Sequence, residues 1–319
     1  MRLIRIPIGA VCTLLAWSWA QDRSQFRSTT ELVIVSCSVV NANGIFADNL
    51  TRDQFQVFDN GVRRSIEHFA VDTDLPVTIG IVVDSSESQK DEIEEHRQTS
   101  VAVLEKLFRA NDRAFVISAG QDIRLWTDLT DDPGAIRKRL AGVPGDVFGE
   151  PCAQRRASPG IRPISSCGSS PLWDAVYDAA RIKFSTVRGN KILLVLTDGI
   201  DSGSSHTWRE AAEAVQRVDA SVSAIEYRSD FGRSYAPELY RLVSDTGGAL
   251  FRPPKGDYDQ IVSRIVADFR RRYVLGFRPE KLTGRNRHEV VVDIERPDLT
   301  IRARTRKIYF EDALDSAAR

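Results

Sequence analysis

Three oxygen-bearing side chains follow one another at two-residue spacing at the end of an apolar run. Residues 78–83 lead directly into Asp84, and Ser86 and Ser88 come next. One carboxylate and two hydroxyls on a single turn suit a hard divalent cation such as Mg²⁺, which prefers oxygen ligands and keeps several bound waters. The spacing therefore predicts a metal-binding loop at the end of a buried strand.

Two further segments carry side chains of the same kind. The strand-like run 191–197 ends in Asp198, and Ser170 stands just before a predicted helix. In a doubly wound sheet, ligands bind beyond the carboxyl ends of the strands, at the point where the strand order reverses. If the strands at 78–83 and 191–197 flank that point, both aspartates meet there. The predicted oxygen ligands are Asp84, Ser86, Ser88, Ser170 and Asp198.

The elements that must position these ligands alternate between strands and helices from residue 76 onward, as judged by the period of their apolar residues. The predicted strands are 78–83, 114–118, 123–126, 191–197, 221–227 and 249–251. The predicted helices are 88–110, 133–140, 171–184, 207–219, 236–245 and 257–271. This alternation is typical of an α/β fold with a doubly wound, mainly parallel sheet and helices on both faces.

Strands alone are predicted at both ends of the chain. They are 32–40, 54–58, 62–71, 273–277, 288–294 and 299–303, with a hairpin turn at Asn60-Gly61. Because lone β-ribbons are marginally stable, we predict that the flanks 31–75 and 273–310 pair into one small β-domain. The α/β domain, residues 76–272, would then be inserted between them.

The order of the three loops resembles a known family. Asp84-x-Ser86-x-Ser88, then Gly168-x-Ser170-x-Leu172-x-Asp174-Ala175, then Leu196-Thr197-Asp198-Gly199 are similar to the von Willebrand factor type A domain and its metal-ion-dependent adhesion site (MIDAS). The resemblance covers residues 76–272. It implies a Rossmann-like fold and Mg²⁺, or Mn²⁺ or Ca²⁺, bound by the five predicted ligands.

One position departs from the pattern of that family. The second loop has Ser170 where the family usually has Thr, and the missing methyl group leaves the hydroxyl rotamer less fixed. Ser169 is therefore a competing ligand. The flanks in turn resemble the secreted group called the VWFA-related domain of Acidobacteria, on the segments 53–61, 273–277 and 302–304. That resemblance implies no assigned biochemical role.

Three classes of function are compatible with this pattern to different degrees. The resemblance implies an adhesion or scaffolding module, whose cation accepts an acidic side chain from a partner protein. The alternative is a structural domain with vestigial loops that assembles through its β-flanks. A metal-assisted hydrolase would need a general base, for which Glu87 is the only nearby candidate. A carboxylate at the start of a helix is more simply a partner of the helix dipole, so we predict no enzyme.

Charge and the N-terminal segment bear on partners and location. The 44 basic residues balance 44 acidic ones, so neither nucleic acid nor an anionic membrane is an expected partner. Residues 1–20 combine a basic start, an apolar run and small residues at Ser18 and Ala20, which predicts a cleaved signal peptide. The apolar stretch falls short of the ~20 residues needed to span a bilayer. We expect a secreted, periplasmic or cell-surface protein with no stable membrane span.

Export permits a disulfide between Cys152 and Cys167, which bracket a stretch with little capacity for burial. That bridge would contribute roughly 3 kcal/mol on the chain-entropy model, whereas we expect Cys37 to be a buried structural thiol.

Other candidate residues receive structural interpretations. We expect the four histidines, His68, His96, His206 and His288, to face solvent or to cap helices. The segment 201–205 is interpreted as a solvated loop rather than a second cation site, and the basic run 270–272 as a helix end that interacts with the helix dipole.

Overall fold

The computed structural model describes residues 32–41, 46–47, 49–72, 76–89, 91–141, 170–227, 236–252, 258–279, 286–295 and 302–310. All of them belong to one structural unit, Glu31–Arg319. The strands are β1 (Val33–Val40), β2 (Phe55–Asp59), β3 (Val62–Arg64), β4 (Ile66–Asp72), β5 (Val77–Asp84), β6 (Arg113–Ala119), β7 (Ile123–Thr130), β8 (Asn190–Thr197), β9 (Ala220–Glu226), β10 (Leu250–Phe251), β11 (Arg272–Phe277), β12 (Arg287–Ile294), β13 (Arg302–Arg304) and β14 (Ile308–Phe310). The α-helices are α1 (Ile93–Leu107), α2 (Pro133–Leu140), α3 (Leu172–Asp178), α4 (Trp208–Arg217), α5 (Pro237–Asp245) and α6 (Tyr258–Arg270).

The central sheet has six strands in the order β10-β9-β8-β5-β6-β7. All of them are parallel except β7, which forms an antiparallel hairpin with β6. The chain moves from β5 to β6 on one side and later to β8 on the other, so the strand order reverses between β5 and β8. The prediction of a doubly wound, mainly parallel α/β sheet is confirmed.

Apolar side chains on alternate residues of the central strands form two cores, one on each face of the sheet. Val82 and Val195 lie in the core under α3, α4 and α5, whereas Ile81 and Leu194 lie in the core under α1, α2 and α6. Burial on both faces explains why β5 is apolar along nearly its whole length. Glycine is required at position 80, between β6 and β8, because a Cβ there would lie only 2.5 Å from Phe115 Cζ.

Two helices differ from their predicted spans. The helix predicted at 88–110 begins only at Ile93, because residues Glu87–Gln89 form a tight 3₁₀ turn in which the Gln89 amide donates to the Ser86 carbonyl. The helix predicted at 171–184 ends as α-helix at Asp178 and continues as a π-helical turn, Ala179–Lys183. The first difference follows from the loop that carries the predicted ligands.

The flanking strands form two antiparallel four-stranded sheets, β13-β1-β11-β4 and β14-β12-β2-β3. Each sheet combines strands from before and after the central sheet: β1 pairs with β11, and β2 pairs with β12. A third core lies between them, and Cys37 is buried in it as a free thiol, as expected. Burial raises the pKa of that thiol to about 12. The domain boundaries themselves stay a prediction.

Several local features of these flanks and of the helix ends differ from the sequence interpretation. The strand predicted at 62–71 is split into β3 and β4, and β14 was not predicted. Arg270 ends α6, as expected, but its side chain is also buried, forms an ion pair with Asp112 and donates to the Leu107 carbonyl. Arg272 belongs to β11 and donates to Ser221 Oγ.

Two sets of predictions concern membranes and export. Within the described ranges, none of the helices has the length and apolar character that crossing a membrane requires. The predicted signal peptide, residues 1–20, and the predicted bridge between Cys152 and Cys167 lie outside the described residues.

Candidate metal centre

The two aspartate-bearing strands end side by side. β5 and β8 are parallel neighbours with Val83 opposite Leu196, which brings Asp84 level with Thr197 and places Asp198 one residue beyond it. Because the carboxyl ends of parallel strands lie at one edge of a sheet, the first and third loops meet there. The predicted meeting of these loops at the reversal of strand order is confirmed.

Asp84 is the centre of a hydrogen-bonded network of hydroxyls, and it is fully buried. Its Oδ1 accepts from the Ser86 amide at 3.0 Å and from Ser86 Oγ at 2.6 Å, and Ser88 Oγ lies 3.1 Å from Ser86 Oγ. Ser170 Oγ donates to the same Oδ1 over a longer 3.4 Å. The structure thus brings four of the five predicted ligands into one contact network.

The fifth predicted ligand, Asp198, is buried beside this network. Its Oδ1 accepts from the Ile200 amide at 3.0 Å, whereas its buried Oδ2 has no hydrogen-bond partner among the described residues. Burial, and next the negative charge of Asp198, raise the pKa of Asp84 from 3.8 to about 7. A buried carboxylate oxygen normally has a partner. A cation bound here would serve as the partner of Asp198 Oδ2 and would balance the negative charge of the two aspartates.

The chemistry of the side chains fits a hard divalent cation. Within the described part of the chain, no three His, Cys, Asp or Glu side chains gather at a spacing that suits a metal, so any site here combines two carboxylates with hydroxyls. Ser86 gives its hydrogen to Asp84, and its oxygen lone pairs remain available to an ion. One or two carboxylates together with neutral oxygens and water are typical of Mg²⁺ and related ions.

The position of the second loop is set by the segment that follows Asp198. Ser170 and Ser202 form an antiparallel bridge, in which the Ser202 amide donates to the Ser170 carbonyl and the Ser170 amide donates to Ser202 Oγ, both at 2.9 Å. Ser170 therefore stands close to Asp84 because the third loop holds its backbone. Ser169, the competing ligand, lies outside the described residues.

The segment 201–205 is exposed at Ser202, Gly203 and Ser205, as expected of a solvated loop, and its other side chains cap α3. Asp201 Oδ1 accepts from the Trp173 amide, and Ser204 Oγ accepts from the Asp174 amide, both at 3.1 Å. Asp174 in turn accepts from the amide and the ring of His206. Since the N-cap of α3 is Pro171, which offers no side-chain acceptor, these contacts bind amides that would otherwise lack partners. Burial raises the pKa of Asp201.

Two residues at this edge were missed by the sequence interpretation. Thr197 Oγ1 donates to Asp84 Oδ2 at 2.6 Å and accepts from the Gly199 amide at 2.9 Å. Its only signal in the sequence is its place directly before Asp198. The second residue, His96, was expected to face solvent or cap a helix, but it is fully buried on α1 with Nδ1 3.1 Å from the Asp84 carbonyl oxygen.

Burial affects the histidines unequally. It lowers the pKa of His96 to about 4, so this ring is neutral near pH 7. His288 is also buried, within the flanking β-sheets, where its ring stacks on Tyr309. His206 stacks on Tyr177, and His68 is exposed as expected. A histidine on the apolar face of a predicted helix, as His96 is relative to Ile93 and Val103, was the available signal.

Comparison with known proteins gives likenesses of fold. No family model and no curated protein matches the chain. Proximal thread matrix protein 1 from the mussel byssus matches with a TM-score of 0.50 and 14% identity, over 66% of this chain and 49% of that one. This chain thus spans about half the length of the mussel protein. A second structure of that protein has zinc in its MIDAS motif; it matches with a TM-score of 0.47 at 14% identity, over 66% of this chain and 49% of that one.

A bacterial protein gives a further likeness. It is a von Willebrand factor type A protein from Catenulispora acidiphila, with a TM-score of 0.44 and 12% identity over 92% of this chain and 78% of that one. At such identities the likenesses concern the fold alone. The central sheet, with its order of strands and its helices on both faces, is similar in fold to the mussel protein.

Proposed function

We propose that this chain is a metal-ion-dependent protein-interaction module that binds an acidic group of a partner through Mg²⁺ or a similar cation. One observation carries the proposal: three loops bring Asp84, Ser86, Ser88, Ser170 and Asp198 to one edge of the central sheet. When bound, the ion supplies a centre of positive charge with coordination positions that water or a carboxylate can fill.

The residues of the chain have separate roles in this proposal. Asp84 and Asp198 supply the negative charge that attracts the ion and formally balance its two positive charges, and the serines supply neutral oxygens. Because Mg²⁺ keeps several bound waters in such sites, a carboxylate from a partner can replace one of them. The proposal assigns no catalytic step to any residue.

A metal titration with a matched control tests the ion. Ligand binding to the folded state alone raises stability by about 2.7 kcal/mol at 100 times Kd, so Mg²⁺ should raise the Tm of the wild-type chain. Asp84→Ala should abolish that rise. Asp91→Ala removes an exposed carboxylate from the same segment and should leave the rise unchanged. An equal Mg²⁺ response in the wild type and Asp84→Ala would show that the loops are vestigial.

The partner is tested separately. The wild-type chain, immobilised on a matrix, should capture proteins from the secreted fraction of its native source in Mg²⁺ and release them when a chelator is added. The Asp84→Ala variant should capture none of these proteins. Binding that is equally strong in chelator would favour assembly through the β-flanks. We also propose that the chain is exported; N-terminal sequencing of material from the native source should begin at Gln21, and a chain that starts at Met1 would contradict this.

A further inference from the structure

The hydrogen bond that His96 makes through Nδ1 has an unambiguous direction. The ring is fully buried and its Nδ1 lies 3.1 Å from the carbonyl oxygen of Asp84. A carbonyl oxygen can only accept, so Nδ1 must carry the hydrogen. The ring therefore donates to the main chain of the residue whose side chain is the central predicted ligand.

The same ring contacts the neighbouring strand through Tyr227. The two ring centroids lie 4.2 Å apart with 47° between the planes. Tyr227 follows β9 directly, and its amide donates to the Thr197 carbonyl at 2.8 Å, next to Asp198. Its hydroxyl donates to Thr99 Oγ1 on α1 at 3.3 Å. One imidazole thus lies between the main chain at Asp84 and the strand end that supports the main chain before Asp198.

We propose that His96 is a positioning residue of the metal centre, which fixes the Asp84 main chain and, through Tyr227, the strand end before Asp198. This inference rests on the proposed function, since it concerns the same site. The physical reason is that both ligand-bearing strand ends are linked to one buried ring, directly or through Tyr227, so the ring limits how far they can move relative to each other. His96 supplies a hydrogen bond to the Asp84 main chain and a ring contact with Tyr227.

The loss of a positioning residue should lower the affinity of the site for Mg²⁺. Residues that orient metal ligands without touching the ion change metal affinity by about 10- to 100-fold when they are removed. A histidine that only fills space in the core would behave differently, because its replacement would lower stability and leave the affinity of the folded protein unchanged. Mg²⁺ affinity and metal-free stability must therefore be measured separately.

Two variants separate the hydrogen bond from the ring. His96→Phe keeps an aromatic ring against Tyr227 but removes the donor, whereas His96→Asn places an amide nitrogen near the position of Nδ1 and removes the ring. We expect His96→Phe to weaken Mg²⁺ binding by about 10-fold or more. We expect His96→Asn, which keeps a donor near Nδ1 but loses the contact with Tyr227, to bind Mg²⁺ more tightly than His96→Phe and more weakly than wild type. Both affinities are measured by calorimetric titration at a temperature where circular dichroism shows the variants to be folded.

If His96→Phe does not fold, the comparison of His96→Gln with His96→Asn tests the same hydrogen bond. His96→Gln carries a similar amide, but its nitrogen reaches the position of Nε2 rather than that of Nδ1. His96→Gln should then bind Mg²⁺ more weakly than His96→Asn. Equal Mg²⁺ affinity in His96→Phe and wild type, or in the Gln and Asn variants, would overturn the inference. A wild-type chain that binds no Mg²⁺ would overturn the proposed function itself, whereas equal binding by all variants would overturn only the role of His96.

Discussion

Replacing Asp198 by Asn should stabilise the metal-free protein while it removes the response to Mg²⁺. Asn has nearly the same shape as Asp and keeps the Oδ1 acceptor that binds the Ile200 amide. It removes the negative charge that contributes to the raised pKa of Asp84. The new amide nitrogen takes the place of Oδ2, which has no partner among the described residues, and its burial has a cost that does not depend on pH. The electrostatic role of Asp198 is therefore given by the difference between two pH values.

The expected size follows from the pKa of Asp84, which rises from 3.8 to about 7 on folding. Between those values the folded state holds a proton that the unfolded state has lost, so the stability of the metal-free chain falls as the pH rises from about 4 to about 7. The whole shift corresponds to about 4 kcal/mol. Burial is the larger cause and Asp198 the second, so we expect Asp198→Asn to recover about 1–2 kcal/mol near pH 8.

Near pH 5, in contrast, Asp84 still holds its proton in the folded state, so the electrostatic gain is absent and only the cost of the buried amide remains. Urea unfolding in chelator at about pH 5 and about pH 8 measures both values. Asp91→Asn, at an exposed position, is the control and should change neither. A loss of stability that is equal at both pH values would refute the reasoning, because Asp198 would then be a turn residue without an electrostatic role at the site.

Three further predictions concern the supports of the site and are measured by urea unfolding of the metal-free chain. Thr197→Val removes the hydroxyl that donates to the first-loop carboxylate and should cost about 1–3 kcal/mol; an unchanged midpoint would contradict that bond. Gly80→Ala places a Cβ against the side chains of Phe115 and Leu193 and should cost about 1–3 kcal/mol; an unchanged midpoint would contradict the close packing at this position. Arg270→Met leaves Asp112 buried without its ion pair and should cost about 3–5 kcal/mol, whereas Arg137→Ala, in an exposed pair, should cost less than about 1 kcal/mol; equal costs would be the contrary result.

The central sheet could be predicted because burial on both faces leaves a clear pattern. β5 and β8 are apolar runs that end in or just before an aspartate, and such runs are typical of parallel strands covered by helices. The alternation of these strands with helices then indicates a doubly wound sheet, in which the strand order reverses. The split between β3 and β4 could not be predicted in this way, because β3 pairs with β2 in one sheet and β4 with β11 in another. The 3₁₀ turn at Glu87–Gln89 rests on a local hydrogen bond from Gln89 to Ser86, which the pattern of apolar residues does not show.

The site could be predicted only for residues whose chemistry is visible in their type. Asp84, Ser86 and Ser88 carry ligand oxygens at a spacing that suits a turn, so their sequence alone suggests a cation. Thr197 and His96 act through contacts with Asp84, and nothing in their local sequence shows that contact. Their positions on a buried strand and on a buried helix face become informative only when the strand ends are known to meet.

The capping of α3 shows why the second and third loops form one structural unit. α3 begins without a side-chain cap of its own, and its first amides bind the Ser170 carbonyl, Asp201 and Ser204. The helix that follows Ser170 is thus stabilised by the loop that follows Asp198, and the bridge to Ser202 fixes the hydroxyl loop against the carboxylate loop. The distance between the second-loop hydroxyl and Asp84 therefore depends on hydrogen bonds made by residues that are not ligands. A substitution in the segment 201–204 should for this reason act on the metal centre without touching the ion.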